Sequence, residues 1–149
     1  MPTRFEGTET ERLALETLIK LVRAADAVSA RLMAPLQREH RLTEIQLGVL
    51  EALLHAGPLT QGQLSTRLLK SGSNLTTVVD NLERAGMVRR ERDSTDRRVQ
   101  HVHLTPTGLD RIERIFPAHI ARVVAELSKL SAEEQRMLGS LCRKLGTAG

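Results

Sequence analysis

Apolar residues recur at helical spacing through most of this chain, with one interruption: between Met87 and Leu104 they give way to two short runs that read as strands. That switch of period restricts the chain to packed helices carrying a single β-hairpin. The available core narrows it further. Hydrophobic residues make up 40% of the 149, yet Trp and Tyr are absent and Phe occurs only at Phe5 and Phe116. The interior must therefore be Leu, Val, Ile, Ala and Met, a palette that suits helix on helix. A chain of this length buries roughly two-thirds of its unfolded surface and is expected to form one unit.

From Glu9 to about Glu39, Leu15, Leu18, Ile19, Val22, Ala25, Leu32 and Leu36 mark one long helix, expected to bend or end near Pro35. Thr43 caps a second helix that reaches about His55 and stops at Gly57-Pro58. Thr60 and Gln63 have the spacing of a capping box opening a third helix over Leu64 and Leu68. Lys70-Ser71-Gly72-Ser73 reads as a turn, and a fourth helix runs from about Ser73 to Ala85, ending at Gly86. Helix, turn with glycine, helix is the spacing of a helix-turn-helix. "MVRRER" and "VQHVHL" then form the hairpin, with "DSTDRR" as a polar tip. A fifth helix starts at Pro106, contains Pro117 and should bend there; a sixth opens with the capping box Ser131 to Glu134.

The expected architecture is mainly α with a small β-hairpin wing, in which residues 43–105 make a winged helix-turn-helix lobe. Residues 9–39 and 106–146 make a helical lobe whose apolar faces the middle is too small to cover. A homodimer with interleaved terminal helices is the simplest cover; the alternative is that these helices pack on each other within one chain.

The charge is uneven. Between Arg84 and Arg98 lie six arginines against Glu91, Asp93 and Asp96, so this segment holds three of the four net positive charges. Clustered arginines suit a polyanion, although a charge run also serves as a solvated face. On the fourth helix Leu75, Val78, Val79 and Leu82 fall on one side, and Ser73, Asn74, Thr77, Asp80, Asn81 and Arg84 on the other. Solvated faces usually collect Lys and Glu; short hydroxyl and amide groups instead can read base edges in a major groove. The hairpin projects Arg92, Arg97 and Arg98 beyond it, where an arginine can enter a narrow minor groove. Asp96 is placed to direct Arg98, though an ordinary turn aspartate would look the same.

"DRRVQHVHLT" matches the pattern D-x-R-x-x-x-V-x-L-T at Asp96, Arg98, Val102, Leu104 and Thr105, with Gly108 following, and "NLTTVVDNLERAGMVRR" resembles a recognition helix and the strand beyond it. Together they resemble the MarR family of winged-helix regulators. The resemblance implies a dimer on a pseudo-palindromic DNA operator, usually a repressor, with Arg98 in the minor groove, Asp96 as its positioning partner, and Ser73, Asn74, Thr76, Thr77 and Asn81 facing the major groove. Many members carry arginine where this chain has Thr77, so the operator sequence does not transfer. It also implies release by a small phenolic or anionic compound in a cleft between the lobes, with Met33, His40 and His55 as candidate contacts.

The other readings are a winged helix used for protein contact and a metal- or redox-responsive regulator. His101 and His103 share a strand face but lack a third ligand. Cys142, the lone cysteine, excludes an internal disulfide and is expected to be a buried small residue. No phosphate loop, acidic dyad or nucleophile arrangement suggests an enzyme, and no cofactor is expected. The first twelve residues carry no apolar run, and no window reaches the ~18 apolar residues of a membrane span, so a cytoplasmic protein is expected.

Overall fold

The computed structural model describes residues 4–68 and 72–147, without the side chains of Gly72 and Ser73. In order along the chain stand α1 (Glu9–His40), α2 (Glu44–Ala56), β1 (Leu59–Thr60), α3 (Gln61–Leu68), α4 (Gly72–Arg84), β2 (Val88–Arg92), β3 (Gln100–Leu104), α5 (Pro106–Leu127) and α6 (Ala132–Gly146). Reciprocal capping boxes open α1 at Thr8 and Glu11, α2 at Thr43 and Gln46, and α6 at Ser131 and Glu134. At α3 the Thr60 and Gln63 side chains exchange the same pair of bonds, at 2.9 and 3.1 Å. Each box satisfies amide donors that a helix start leaves without partners.

Some boundaries differ from expectation. α1 does not end near Pro35 but continues to His40. A proline removes one ladder donor, and here the turns on either side outweigh that loss. The helix stops where Arg41 turns left-handed, at φ 55°, and Leu42 donates back to the Leu36 carbonyl at 3.3 Å. In the turn expected at Lys70 to Ser73, residues 69–71 lie outside the described residues, while Gly72 and Ser73 already belong to α4. β1 has no counterpart in the sequence reading, because two residues are too few to show a period. Leu59 and Thr60 pair with Val102 and His101, making a sheet of order β1-β3-β2.

β2 and β3 pair antiparallel, Val88 opposite Leu104 and Arg92 opposite Gln100. The core lies between α2, α3, α4 and the buried side of this sheet: Leu50, Leu64, Leu75, Val79, Leu82 and Val102 are all essentially inaccessible. α5 adds Ile112 and Ile115, and α1 adds Leu36. α6 contributes nothing, since every described residue along it is exposed. Cys142 is therefore exposed and not buried as expected, because α6 finds no cover within one chain. α1 packs on α5 within the chain, and several apolar residues of the terminal helices stay outside that contact. Leu13, Leu18, Val22, Val124, Leu141 and Leu145 all remain exposed. Among the described residues, no helix is long and apolar enough to cross a membrane.

The wing is joined to its surroundings by close backbone packing. Gly86, at φ 77°, turns the chain out of α4. The Thr105 hydroxyl donates to the Gly86 carbonyl at 2.6 Å, and the Thr105 amide donates to the Met87 carbonyl at 3.1 Å. Gly108, in the first turn of α5, sits so near that strand that a Cβ on it would lie 1.9 Å from the Met87 carbonyl oxygen. No side chain fits there, so Gly108→Ala is expected to destabilise the protein by about 1–3 kcal/mol through forced backbone displacement. Denaturant midpoints of the two proteins check this, and equal midpoints would refute the tight approach.

α1 and α5 are tied by Arg31, whose Nε donates to Glu126 at 2.7 Å, and by Arg122, which reaches Glu39 at 3.1 Å. Hydrogen bonds from Arg31 and then Lys129 lower the Glu126 pKa from 4.5 to about 2. A depressed carboxylate stabilises the fold above its unfolded pKa and loses that contribution as pH falls through the folded one. The melting-temperature gap between the wild type and Glu126→Gln should thus be full above pH 4.5 and close as the pH approaches about 2. A gap that does not change across this window would refute the linkage.

Candidate nucleic-acid interface

The polar side of α4 and the tip of the β2–β3 wing make one basic, hydrogen-bonding surface. Leu75, Val79 and Leu82 anchor α4 in the core, which leaves Asn74, Thr76, Thr77, Asn81 and Arg84 exposed. The Ser73 side chain lies outside the described residues. The Thr76 hydroxyl accepts a hydrogen bond from the side-chain Nε2 of Gln61 at the start of α3, and Arg84 donates to the side-chain Oδ1 of Asn81 at 3.1 Å. Thr77, one position further on, is exposed.

The arginines divide into distinct groups. Arg90 is largely enclosed: it bridges Asp80 at 2.7 Å and Glu83 at 2.9 Å, and its amide donates to Glu83 at 3.0 Å. This clamps β2 onto α4 and employs Asp80 structurally, although the helical wheel put it among the outward polar residues. Arg89 is neutralised by its ion pair with Glu91, whose pKa is lowered chiefly by that hydrogen bond, and His103 lies 3.6 Å from the same carboxylate. The remaining arginines gather at the outer end. Arg92 donates to the Arg97 carbonyl at 2.8 Å, which closes the loop, and Arg97 is exposed beside it.

Arg98 is held from a single side. Asp96 Oδ1 accepts from the Arg98 amide and from Nε, both at 3.1 Å, and Oδ2 accepts from a terminal nitrogen at 3.2 Å. Those bonds pull the Asp96 pKa below its ordinary value. The Arg98 side chain nevertheless remains 91% exposed. A guanidinium aimed by a carboxylate yet open to solvent keeps donors for a further anion.

Behind this surface, between α1, α2, α3 and α5, lies a cleft of about 270 Å³ lined by Met33, Glu44, Ile45, Leu47, Gly48, Glu51, Leu68 and His119. Gly48 brings α3 close, since a Cβ there would come within 2.9 Å of a Leu68 methyl. Of the candidate ligand contacts only Met33 lines the cleft. His40 sits in the last turn of α1, 3.9 Å from Glu39, and His55 lies at the end of α2 with its ring edge-on to Phe116. Neither is among the residues that line the cleft. His119, missed in the sequence, is buried on α5, and burial lowers its pKa below the ordinary histidine value. The legible signal was a histidine continuing the inward stripe of Ile112 and Ile115. Arg90 and Gln61 were also missed, because their partners stand on other elements. Among the described residues no group of three or more His, Cys, Asp or Glu side chains could hold a metal ion.

The model of the MarR family matches residues 41–99. The chain is 36% identical to the HTH-type transcriptional regulator YkoM of Bacillus subtilis over 98% of this chain and 94% of that one. Among solved structures it is similar to Sco3205, a MarR family transcriptional regulator from Streptomyces coelicolor in complex with DNA. That match has 26% identity and a TM-score of 0.84, over 95% of this chain and 89% of that one. It is also similar to NadR in complex with 4-hydroxyphenylacetate, at 25% identity and a TM-score of 0.75 over the full length of both.

The two classes of arginine should separate on substitution. Arg90→Ala leaves Asp80 and Glu83 facing each other without a cation and is expected to cost about 1 kcal/mol of stability. Arg98→Ala should leave the thermal midpoint unchanged; if calorimetry ranks them the other way round, the division is wrong.

Proposed function

Since the chain belongs to the MarR family of DNA-binding transcriptional regulators, we propose that it acts as a homodimeric repressor of a pseudo-palindromic operator in the cytoplasm. Arg98 enters the minor groove, and the polar side of α4 lies in the adjacent major groove. The observation that carries this reading is the open guanidinium of Arg98, oriented by Asp96 at the tip of the wing. Arg84, Arg92 and Arg97 flank it and would neutralise phosphates; Asn74, Thr77 and Asn81 are the candidate base readers, with Ser73 and Thr76 at the same end of the helix. That Sco3205, a protein of similar fold, was solved in complex with DNA supports DNA as the partner.

The dimer is supported by apolar residues that one chain leaves exposed on α1, α5 and α6, among them Leu18, Val124 and Leu141. A second copy that buries them would hold two wings about one helical turn of DNA apart. Release of DNA by a small molecule in the cleft is supported by the position of Leu68, which lines the cleft at the end of α3 just ahead of α4. The ligand carried by NadR supports small-molecule control in a protein of similar structure.

The test is fluorescence anisotropy on operator fragments selected from genomic DNA. Affinity should fall steeply with salt, and Arg98→Ala should weaken binding roughly 10- to 100-fold. Asp96→Asn should lose part of that affinity while retaining the charge at Arg98. Undiminished binding by Arg98→Ala at several salt concentrations, or a monomer in light scattering at binding concentrations, refutes the arrangement.

A further inference from the structure

The charge around the cleft determines what can enter it. Its body is apolar, from Met33, Ile45, Leu47 and Leu68, and its polar groups are Glu44, Glu51 and His119. Among the described residues that line it there is no lysine or arginine. Neighbouring cations are engaged elsewhere: Arg122 with Glu39 at 3.1 Å, and Arg31 with Glu126. Glu44 is exposed and accepts a hydrogen bond from the Ser29 hydroxyl at 2.9 Å. His119 is about nine-tenths buried, and its Nδ1 has no hydrogen-bond partner. Burial disfavours its charged form, against the opposite pull of the nearby Glu51 carboxylate.

We propose that the cleft selects a one-ring ligand with an apolar body and a neutral or cationic hydrogen-bond-donating head, and that Glu44 and Glu51 exclude carboxylates. This rests on reading the cleft as the effector site and departs from the anionic ligand that the family resemblance implied. An entering carboxylate would meet two like charges with no counter-ion among the described lining residues, whereas an amide or amidinium would donate to them. The available volume of about 270 Å³ suits a single substituted ring.

Benzoate, benzamide and benzamidine share one shape and differ in head-group charge. Calorimetric titration of the full-length protein should give affinities in the order benzamidine, benzamide, benzoate, with at least about a ten-fold span. Glu51→Gln should reduce that span by weakening benzamidine and admitting benzoate. Benzoate binding as tightly as benzamidine overturns the charge selection while leaving the cleft as a ligand site. A span unaltered by Glu51→Gln, and equally by the Glu44→Gln/Glu51→Gln pair, overturns the assignment to these carboxylates. If none of the three compounds binds at millimolar concentration, the effector reading fails and the selection with it.

Discussion

The joint where α4, the wing and α5 meet is the constraint on which the rest of the structure depends. Gly86 turns the chain left-handed, Thr105 returns hydrogen bonds to the Gly86 and Met87 carbonyls, and Gly108 lets the first turn of α5 press against Met87. Backbone-to-backbone contact of this kind has no soft side chain to absorb displacement. The direction of the wing relative to α4 is consequently set by the main chain, and the Arg90 clamp to Asp80 and Glu83 reinforces it from the other side. A rigid relation between helix and ribbon is what two simultaneous groove contacts require.

On this frame the arginines perform different tasks. Arg90 holds elements together, Arg89 is neutralised by Glu91, and Arg92 closes the loop on the Arg97 carbonyl. Arg98 is directed by the Asp96 carboxylate at the tip of the wing and is still 91% exposed. The local excess of positive charge is thereby concentrated at the outer end of the wing and beside Arg84, away from the sheet. Concentrated positive charge of this kind acts on a polyanion over a distance, and the proposed role of Arg98 adds one oriented donor group to it.

The cleft and the uncovered helices connect that surface to the rest of the chain. α3 ends at Leu68 on the cleft wall and α4 begins at Gly72, so the packing of Gly48 against Leu68 lies close in sequence to the candidate interface. Meanwhile α6 keeps its apolar residues exposed, and α1 and α5 expose part of theirs.

Much of this was legible in the residues themselves. Helical periodicity, capping boxes and the alternation of Val102 and Leu104 located nearly every element, because helix starts and buried strands are dictated by neighbours only a few positions away. The spacing of Asp96 and Arg98 suggested their pairing for the same reason. Tertiary structure alone decided what depends on distant partners: that β1 joins the sheet, that Arg90 serves α4 and not a ligand, that His119 lines the cleft while His40 and His55 do not, and that Cys142 is exposed. Sequence separation does not reveal such relations, since burial and charge compensation are properties of the space between elements.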